Sequence, residues 1–443
     1  MSFEKIDEGS VNAVSAALDL WSTPPTDVTA ASSIKRAYLN LNPISQSPLH
    51  FVIESGSTYI DLASVKLVTE MRITGNPKKG PGAHARDPDD PVLIAPINGI
   101  GKTFIKNLRI VANDRETFHS NNLYAYLAHM ETELMCDMLA KVSQHSKYGW
   151  FPENLEPEDT DAESFRERSK LFTDGKMAQF VNKLHVDLFD QGRWLIPGVT
   201  IHVEIEPHRS DFALLLPDEK NFGDYKLELV SCRIQCKHLN PMEGLALSVA
   251  KGLEAKPARY PLRRPFMKQE FINGGTQEFH SVIFNEHTPR RVVLTFVDSN
   301  RFNGNIHKSP MVFENHKIST VSIYANGYYF PNIPYELDWE SGRYTLAYDD
   351  MCEAFGWTED ALGTNGITME KFKANCAFFS FVLTTSQEYS RKTADLLRHG
   401  TTSVVVKFKE AVPATGIYMI TMAETDRLML INKERAVTND LAR

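Results

Sequence analysis

Hydrophobic residues recur with a period of two over much of this chain. In residues 65–73 the alternate positions Val65, Leu67, Met71 and Ile73 are apolar, while Lys66, Glu70 and Arg72 fall on the opposite side. That pattern predicts a half-buried strand. Residues 201–206 repeat it, with Ile201, Val203 and Ile205 facing in and His202, Glu204 and Glu206 facing out. VVLTFV (292–297), VSIYA (321–325), SVVVKF (403–408) and IYMITMA (417–423) are rich in β-branched and aromatic residues and predict further strands. Helical spacing is rarer. Leu123, Leu127, Met130 and Leu134 predict one helix within 121–140, and residues 389–399 predict another, ending at Gly400.

Between these segments lie stretches without either period. Residues 1–45, including WSTPPT (21–26), predict an extended arm that orders only against something else. Its removal is expected to leave the fold intact and to impair assembly. Residues 75–91 carry Gly, Pro and charge and predict a long surface loop. Residues 152–167 hold Glu153, Glu156, Glu158, Asp159, Asp161, Glu163 and Glu167 with two prolines, which predicts a solvated acidic loop ahead of an acidic metal site.

Part of the pattern occurs twice. NLRIVAND (107–114) resembles TVSIYANG (320–327): each is an alternating strand ending in Ala-Asn, and the two Asn residues are 326 − 113 = 213 positions apart. LYAYL (123–127) and RYTLAY (343–348) follow in turn. PGVTIHVEI (197–205) resembles HGTTSVVVKF (399–408), with glycines 400 − 198 = 202 apart. Three matches in one order at nearly one offset predict a duplicated β-sandwich of about eight strands per copy. The expected division is an arm at 1–45, a first sandwich at 46–240, a bridge at 241–261 and a second sandwich at 262–443. The fold class is all-β, with short helices in loops.

Composition narrows the function. Lys plus Arg is 48 and Asp plus Glu is 56, a formal charge of −8, which argues against a protein that wraps nucleic acid over its whole surface. No run of apolar residues reaches the roughly 18–20 that a membrane helix needs, and MSFEKIDEGS lacks the basic start and apolar centre of a signal peptide. These features, with an odd count of five cysteines, predict a soluble protein made in a reducing compartment. Cys232 and Cys236 lie four apart in a strand, where both face one side as small core residues.

Candidate chemistry is sparse. The sequence has no P-loop, GxGxxG, HExxH or GxSxG motif. Gly99-Ile100-Gly101-Lys102-Thr103 echoes the end of a phosphate loop, but Pro96 stands where the upstream glycine belongs. His202, Glu204, Glu206 and His208 form an outward row that suits an exposed strand face better than a metal site. Asp298, Asp338, Asp349 and Asp350 fall at strand ends or turns, where Asp bonds to nearby backbone. Arg259, Arg263 and Arg264 could contact phosphate or pair with acidic neighbours.

Several segments resemble the double jelly-roll major capsid proteins, or hexons, of Polinton/Maverick elements and adintoviruses. They are WSTPPT (21–26), FVNKLHVDLFDQ (180–191), VVLTFVDSNRFNGNIHKSP (292–310), DWESGRYTLAYDDM (338–351) and IYMITMAETDRLMLINKER (417–435), in the family's order over nearly the whole chain. The resemblance implies two tandem jelly rolls and a homotrimeric, pseudo-hexagonal capsomer of an icosahedral shell. Its partners would be neighbouring capsomers and a single jelly-roll penton protein. The protein would reside in the virion, after synthesis in the host cytoplasm and assembly in the nucleus. It implies no catalytic residue, cofactor or metal. Two other readings stay open on the residues alone. One is a β-sandwich ligand- or receptor-binding protein, with Tyr324, Tyr328, Tyr329 and Phe330 lining a pocket. The other is a cupin-like metalloenzyme.

Overall fold

The computed structural model describes residues 16–20, 23–39, 48–76, 94–217, 224–285, 287–359, 361–384, 396 and 398–440. Along the first half come β1 (Ala30–Leu39), β2 (Leu49–Glu54), β3 (Tyr59–Asn76), the two-residue β4 (Ala95–Pro96), β5 (Ile105–Ala112), β6 (Arg115–His119), β7 (Ala178–Asn182), β8 (Thr200–Pro207), the two-residue β9 (Leu214–Leu215) and β10 (Asp224–Pro241). The second half contributes β11 (Ala258–Ile272), β12 (Glu278–Phe284), β13 (Arg291–Asp298), β14 (Ile318–Ala325), β15 (Tyr328–Phe330), β16 (Phe379–Val382), β17 (Thr402–Phe408), β18 (Ile417–Ile431) and β19 (Val437–Asp440). The helices are α1 (Ile100–Thr103), α2 (Tyr124–Met135), α3 (Met138–Gln144), α4 (Glu163–Lys170), α5 (Ser210–Ala213), α6 (Glu243–Ala255), α7 (Ser299–Phe302), α8 (Thr345–Ala354) and α9 (Met369–Ala374).

These strands form two sandwiches with one topology. In the first, β1-β10-β3-β7 make one sheet and β2-β8-β5-β6 the other. In the second, β11-β18-β13-β16 face β12-β17-β14-β15, and β19 adds to the end of β18. If the eight main strands of each half are counted in chain order, both halves read 1-8-3-6 against 2-7-4-5. Strand 8 thus returns beside strand 1 across the whole half, and every named pairing is antiparallel. The ribbon of β4 and β9 stands outside this scheme.

Burial follows the alternation. β8 keeps Ile201, Val203 and Ile205 in the core and leaves the residues between them half-buried. Residues 292–297 of β13 are all buried, so both faces of this strand are covered, and β18 and β16 pair along its two edges. One continuous apolar core runs through both sandwiches. The three sequence matches fall on equivalent elements. NLRIVAND and TVSIYANG are β5 and β14 with their turns, the two aromatic stretches lead into or lie in α2 and α8, and the Gly-led segments enter β8 and β17.

Several expectations differ from the structure. The single helix expected over 121–140 is two, α2 and α3. The chain turns at Cys136, and Asp137 caps α3 by accepting from Leu139 N and Ala140 N. The acidic loop at 152–167 runs into α4, which buries Phe165 and Arg168 and ion-pairs Arg168 with Glu153. The arm at 1–45 includes β1, paired along β10 from Ala30↔Pro241 to Leu39↔Arg233. Within 241–261 the chain forms α6, and β11 begins at Ala258. Most of the helix expected at 389–399, and the loop beyond Asn76 up to residue 91, lie outside the described residues.

Candidate functional site

The titratable clusters are structural in geometry. Lys102, from the phosphate-loop echo, is buried in α1. Its Nζ donates to His185 Nε2 at 2.7 Å and sits 4.0 Å from the centre of the Tyr148 ring. His185 Nδ1 lies 2.5 Å from Glu131 Oε2. Burial pulls the Lys102 ammonium down to about 8, and the neighbouring Cys136 and Glu131 charges only partly oppose it. This chain of Lys, His and Glu stitches α1, α2 and the end of β7 together. Beside it, Lys141 Nζ donates to Glu133 Oε2 at 2.9 Å and to the Asn365 carbonyl at 2.9 Å, and Trp150 Nε1 donates to Glu133 Oε1 at 2.8 Å. Burial raises the Glu133 carboxyl, but the Lys141 and His129 charges and the hydrogen bonds from Lys141 and Trp150 together outweigh it and hold the group at about 2.

The outward row on β8 is divided among cross-strand neighbours. His202 stacks on His50, Glu204 pairs with Arg109 at 3.1 Å and Glu206 with Lys106 at 3.0 Å. His208 turns inward and stacks on Phe212, with ring centres 3.6 Å apart. Among the described residues no three His, Cys, Asp or Glu side chains come together as a metal site. The five cysteines are free, with Cys232 and Cys236 buried. Asp298 caps α7, and Asp338 accepts from the backbone of Glu340 and Ser341. Asp350 accepts from the Tyr335 hydroxyl, whereas Asp349 is exposed.

The basic cluster belongs to a seam between the sandwiches. Arg264 Nε lies 2.9 Å from Asp187 Oδ2 across the seam, whereas Arg263 lies 3.7 Å from Asp426 within the second sandwich, on the neighbouring strand β18. The Arg259 carbonyl accepts from Arg193. Along the same seam Tyr260 donates to the Trp194 carbonyl at 3.0 Å, Gln191 to the Pro261 carbonyl at 2.8 Å and Asn121 to the Met267 carbonyl at 3.0 Å. At its far end Asn113 Nδ2 donates to the Arg435 carbonyl at 2.7 Å. Two grooves follow this seam. One, about 560 Å³, is lined by residues including Asn121, Leu123, Arg264 and Phe266; the other, about 570 Å³, by Asn113, Arg115, Glu434 and Arg435 among others. More contacts close the joint near the helices: Trp357 Nε1 donates to the Leu134 carbonyl at 2.7 Å, and Tyr126 stacks on Phe302.

Exposed apolar groups collect elsewhere. β15 is an edge strand on which Tyr328 and Tyr329 stand 67% and 49% exposed, followed by Ile333 at 82%. Phe330 instead lines a small cavity of about 160 Å³ with Pro331, Tyr335 and Phe381. Tyr324, on β14, packs its ring against Tyr329 and is exposed with the two edge tyrosines, whereas Phe330 lines the crevice, so the four aromatics do not line one pocket. Sequence reasoning did not single out Ile34, Leu139, Val142 or Leu362, all strongly exposed. An apolar residue on the outer position of a strand or helix was the only available signal.

No family model matches the chain. An uncharacterized protein of Caenorhabditis elegans, F54H12.2, is 26% identical over 396 residues, covering 88% of this chain and 92% of its own. Among solved structures, one chain of the Sputnik virophage, seen by cryo-EM, superposes with TM-score 0.69 at 13% identity, over 100% of this chain and 96% of that one. The mavirus major capsid protein superposes with TM-score 0.53 at 12% identity, over 100% and 97%. The Faustovirus major capsid protein gives 0.54 at 9% identity, over 93% and 92%. The chain has the fold of these proteins, the double jelly roll: two tandem eight-stranded antiparallel sandwiches joined side by side.

Proposed function

We propose that this chain is the major capsid protein of an icosahedral double-stranded DNA virus or of a virus-like transposon shell. It is a structural subunit and not an enzyme. The observation that carries the reading is the double jelly roll matched end to end by structures of virophage and mavirus capsids. That a similar chain is encoded in a nematode fits the transposon-borne form of the reading. The buried Lys, His and Glu groups are spoken for by one another, which suits a subunit whose task is to hold shape. The capsomer is a homotrimer, so six sandwiches stand in a near-hexagonal outline that tiles flat facets by repeating one set of contacts. Neighbouring capsomers and a single jelly-roll penton protein complete the shell, and the protein resides in the virion. Sizing of the purified full chain tests this: a species near three times 50.1 kDa supports the capsomer, and a monomer at micromolar concentration contradicts it.

A further inference from the structure

Two imidazoles meet on the outer face of the first sandwich. β2 alternates buried Leu49, Phe51 and Ile53 with outward His50, Val52 and Glu54, and β8 turns His202 and Glu204 to the same side. The strands pair antiparallel, with His50 opposite Glu204 and Val52 opposite His202, so the two histidines are diagonal neighbours across the ladder. Diagonal positions lie about 7–8 Å apart, within reach of two imidazoles that lean towards each other. They do lean: the ring planes are 16° from parallel with centres 5.3 Å apart, and His50 Nε2 stands 3.2 Å from His202 Nδ1.

The neighbours do not compete for the pair. Val52 on β2 and Val111 on β5 lie directly across from His202 and offer its ring no hydrogen bond. Glu204, opposite His50, is engaged by Arg109 at 3.1 Å, and Glu116 holds the same guanidinium at 2.6 Å. The contact between the rings needs one imidazole to donate its N–H to the lone pair of the other. Two ring nitrogens bound to one metal ion at about 2.0–2.1 Å, with about 90–109° between the bonds, stand roughly 2.9–3.4 Å apart. The 3.2 Å separation falls in that span. The nitrogens meet nearly head on, and turning each ring about χ2, a soft torsion, makes them adjacent ligands while both strands stay in place. The ion then replaces the shared proton, which the donor ring passes to its other nitrogen, so none is lost. His202 also lines the groove beside Asn113 and Thr200, where water has room to fill the remaining positions.

We propose that His50 and His202 form a two-histidine site for a divalent transition-metal ion, completed by water. Imidazole nitrogens suit Zn²⁺, Ni²⁺ and Cu²⁺ and select against Mg²⁺ and Ca²⁺, which take oxygen ligands. Cu²⁺ heads the affinity order for such a nitrogen pair. The bound ion staples β2 to β8, the strands that carry the core residues Phe51, Ile53, Ile201 and Val203. The unfolded chain does not hold residues 50 and 202 together, so the ion stabilises the folded state by mass action. The site is independent of the capsomer reading above.

The test is equilibrium dialysis of the purified full chain against Cu²⁺ at low micromolar concentration, beside His50→Gln, His202→Gln and the double variant. His50 is exposed and His202 half-buried on the outer face, so all three variants should melt like the parent without metal. Each single variant should retain one equivalent of Cu²⁺ less than the parent. The double variant should lose no more than either single one, because one ring alone holds no ion at that concentration. Pulsed electron paramagnetic resonance of that equivalent should show two coupled imidazoles, and Zn²⁺ should raise the melting temperature of the parent more than that of the variants. Variants that bind as much Cu²⁺ as the parent overturn the proposal. So do losses that add in the double variant, which would mean two independent histidines.

Discussion

Asn113 and Asn326 hold the same position in the two sandwiches, 213 residues apart, each with a left-handed backbone (φ 50° and 52°) at the turn between the fourth and fifth main strands. Asn tolerates that conformation better than other residues with a Cβ. The two have diverged in what they bind. Asn113 Oδ1 accepts from Thr200 N at 2.8 Å and its Nδ2 reaches Arg435 in the other sandwich, whereas Asn326 Nδ2 donates to Thr288 at 2.7 Å within its own. Replacing Asn113 by Ala leaves the turn strained and frees both bonds, a cost of about 2–4 kcal/mol. Asn113→Gly relieves the strain but not the bonds and should fall between. Thermal melts of the two variants check the order.

The seam itself rests on a buried charge pair. Burial raises the Asp187 carboxyl, and the Arg264 guanidinium opposes that rise. Arg264→Ala leaves Asp187, whose side chain is 1% exposed, without its cation at a cost of about 3–5 kcal/mol. Denaturant unfolding should show the loss, and Asp187→Asn added to Arg264→Ala should recover part of it.

Glu133 makes the fold acid-sensitive. Its folded carboxyl titrates at about 2 against an ordinary 4.5. A carboxyl depressed in this way stabilises fully above pH 4.5, and the contribution is lost as pH falls from 4.5 towards 2. The magnitude is about 3 kcal/mol for a shift of that size. Stability measured from pH 6 down to pH 3 should drop less steeply in the Lys141→Met, Glu133→Leu double variant than in the parent. Lys141→Met alone should be the worst of the three at neutral pH, since it strands a buried carboxylate.

Chain deletion separates arm from sandwich. Removing residues 1–28 should leave the melting temperature within a few degrees of the parent. Removing 1–45 strips β1 from β10 and uncovers a long strand edge. That variant should melt lower and aggregate. Equal melting of the two truncations would contradict the place of β1 in the sheet.

What was legible in the sequence was local. Alternation in 201–206 fixes which way β8 faces, and Ala-Asn at 112–113 and 325–326 marks two equivalent turns, so the duplication shows through. Three signals were present but overridden. Asp137 before Met138 is a helix cap inside a longer helical period, Phe165 and Arg168 are spaced on one helical face within an acidic run, and alternation in ASSIKRAYL was masked by the polar stretch around it. The seam was not legible at all. Arg264 and Asp187 are 77 positions apart, and nothing near either residue announces the other. The basic cluster could therefore be read as phosphate-binding or structural until the partner carboxylate was located.

The central claim is that this chain builds a shell, and electron microscopy of the expressed full-length protein tests it most directly. Three-fold particles of near-hexagonal outline, alone or tiled into closed shells, are the predicted result. A uniform population of two-lobed monomers that stays unassembled at high protein concentration would contradict it.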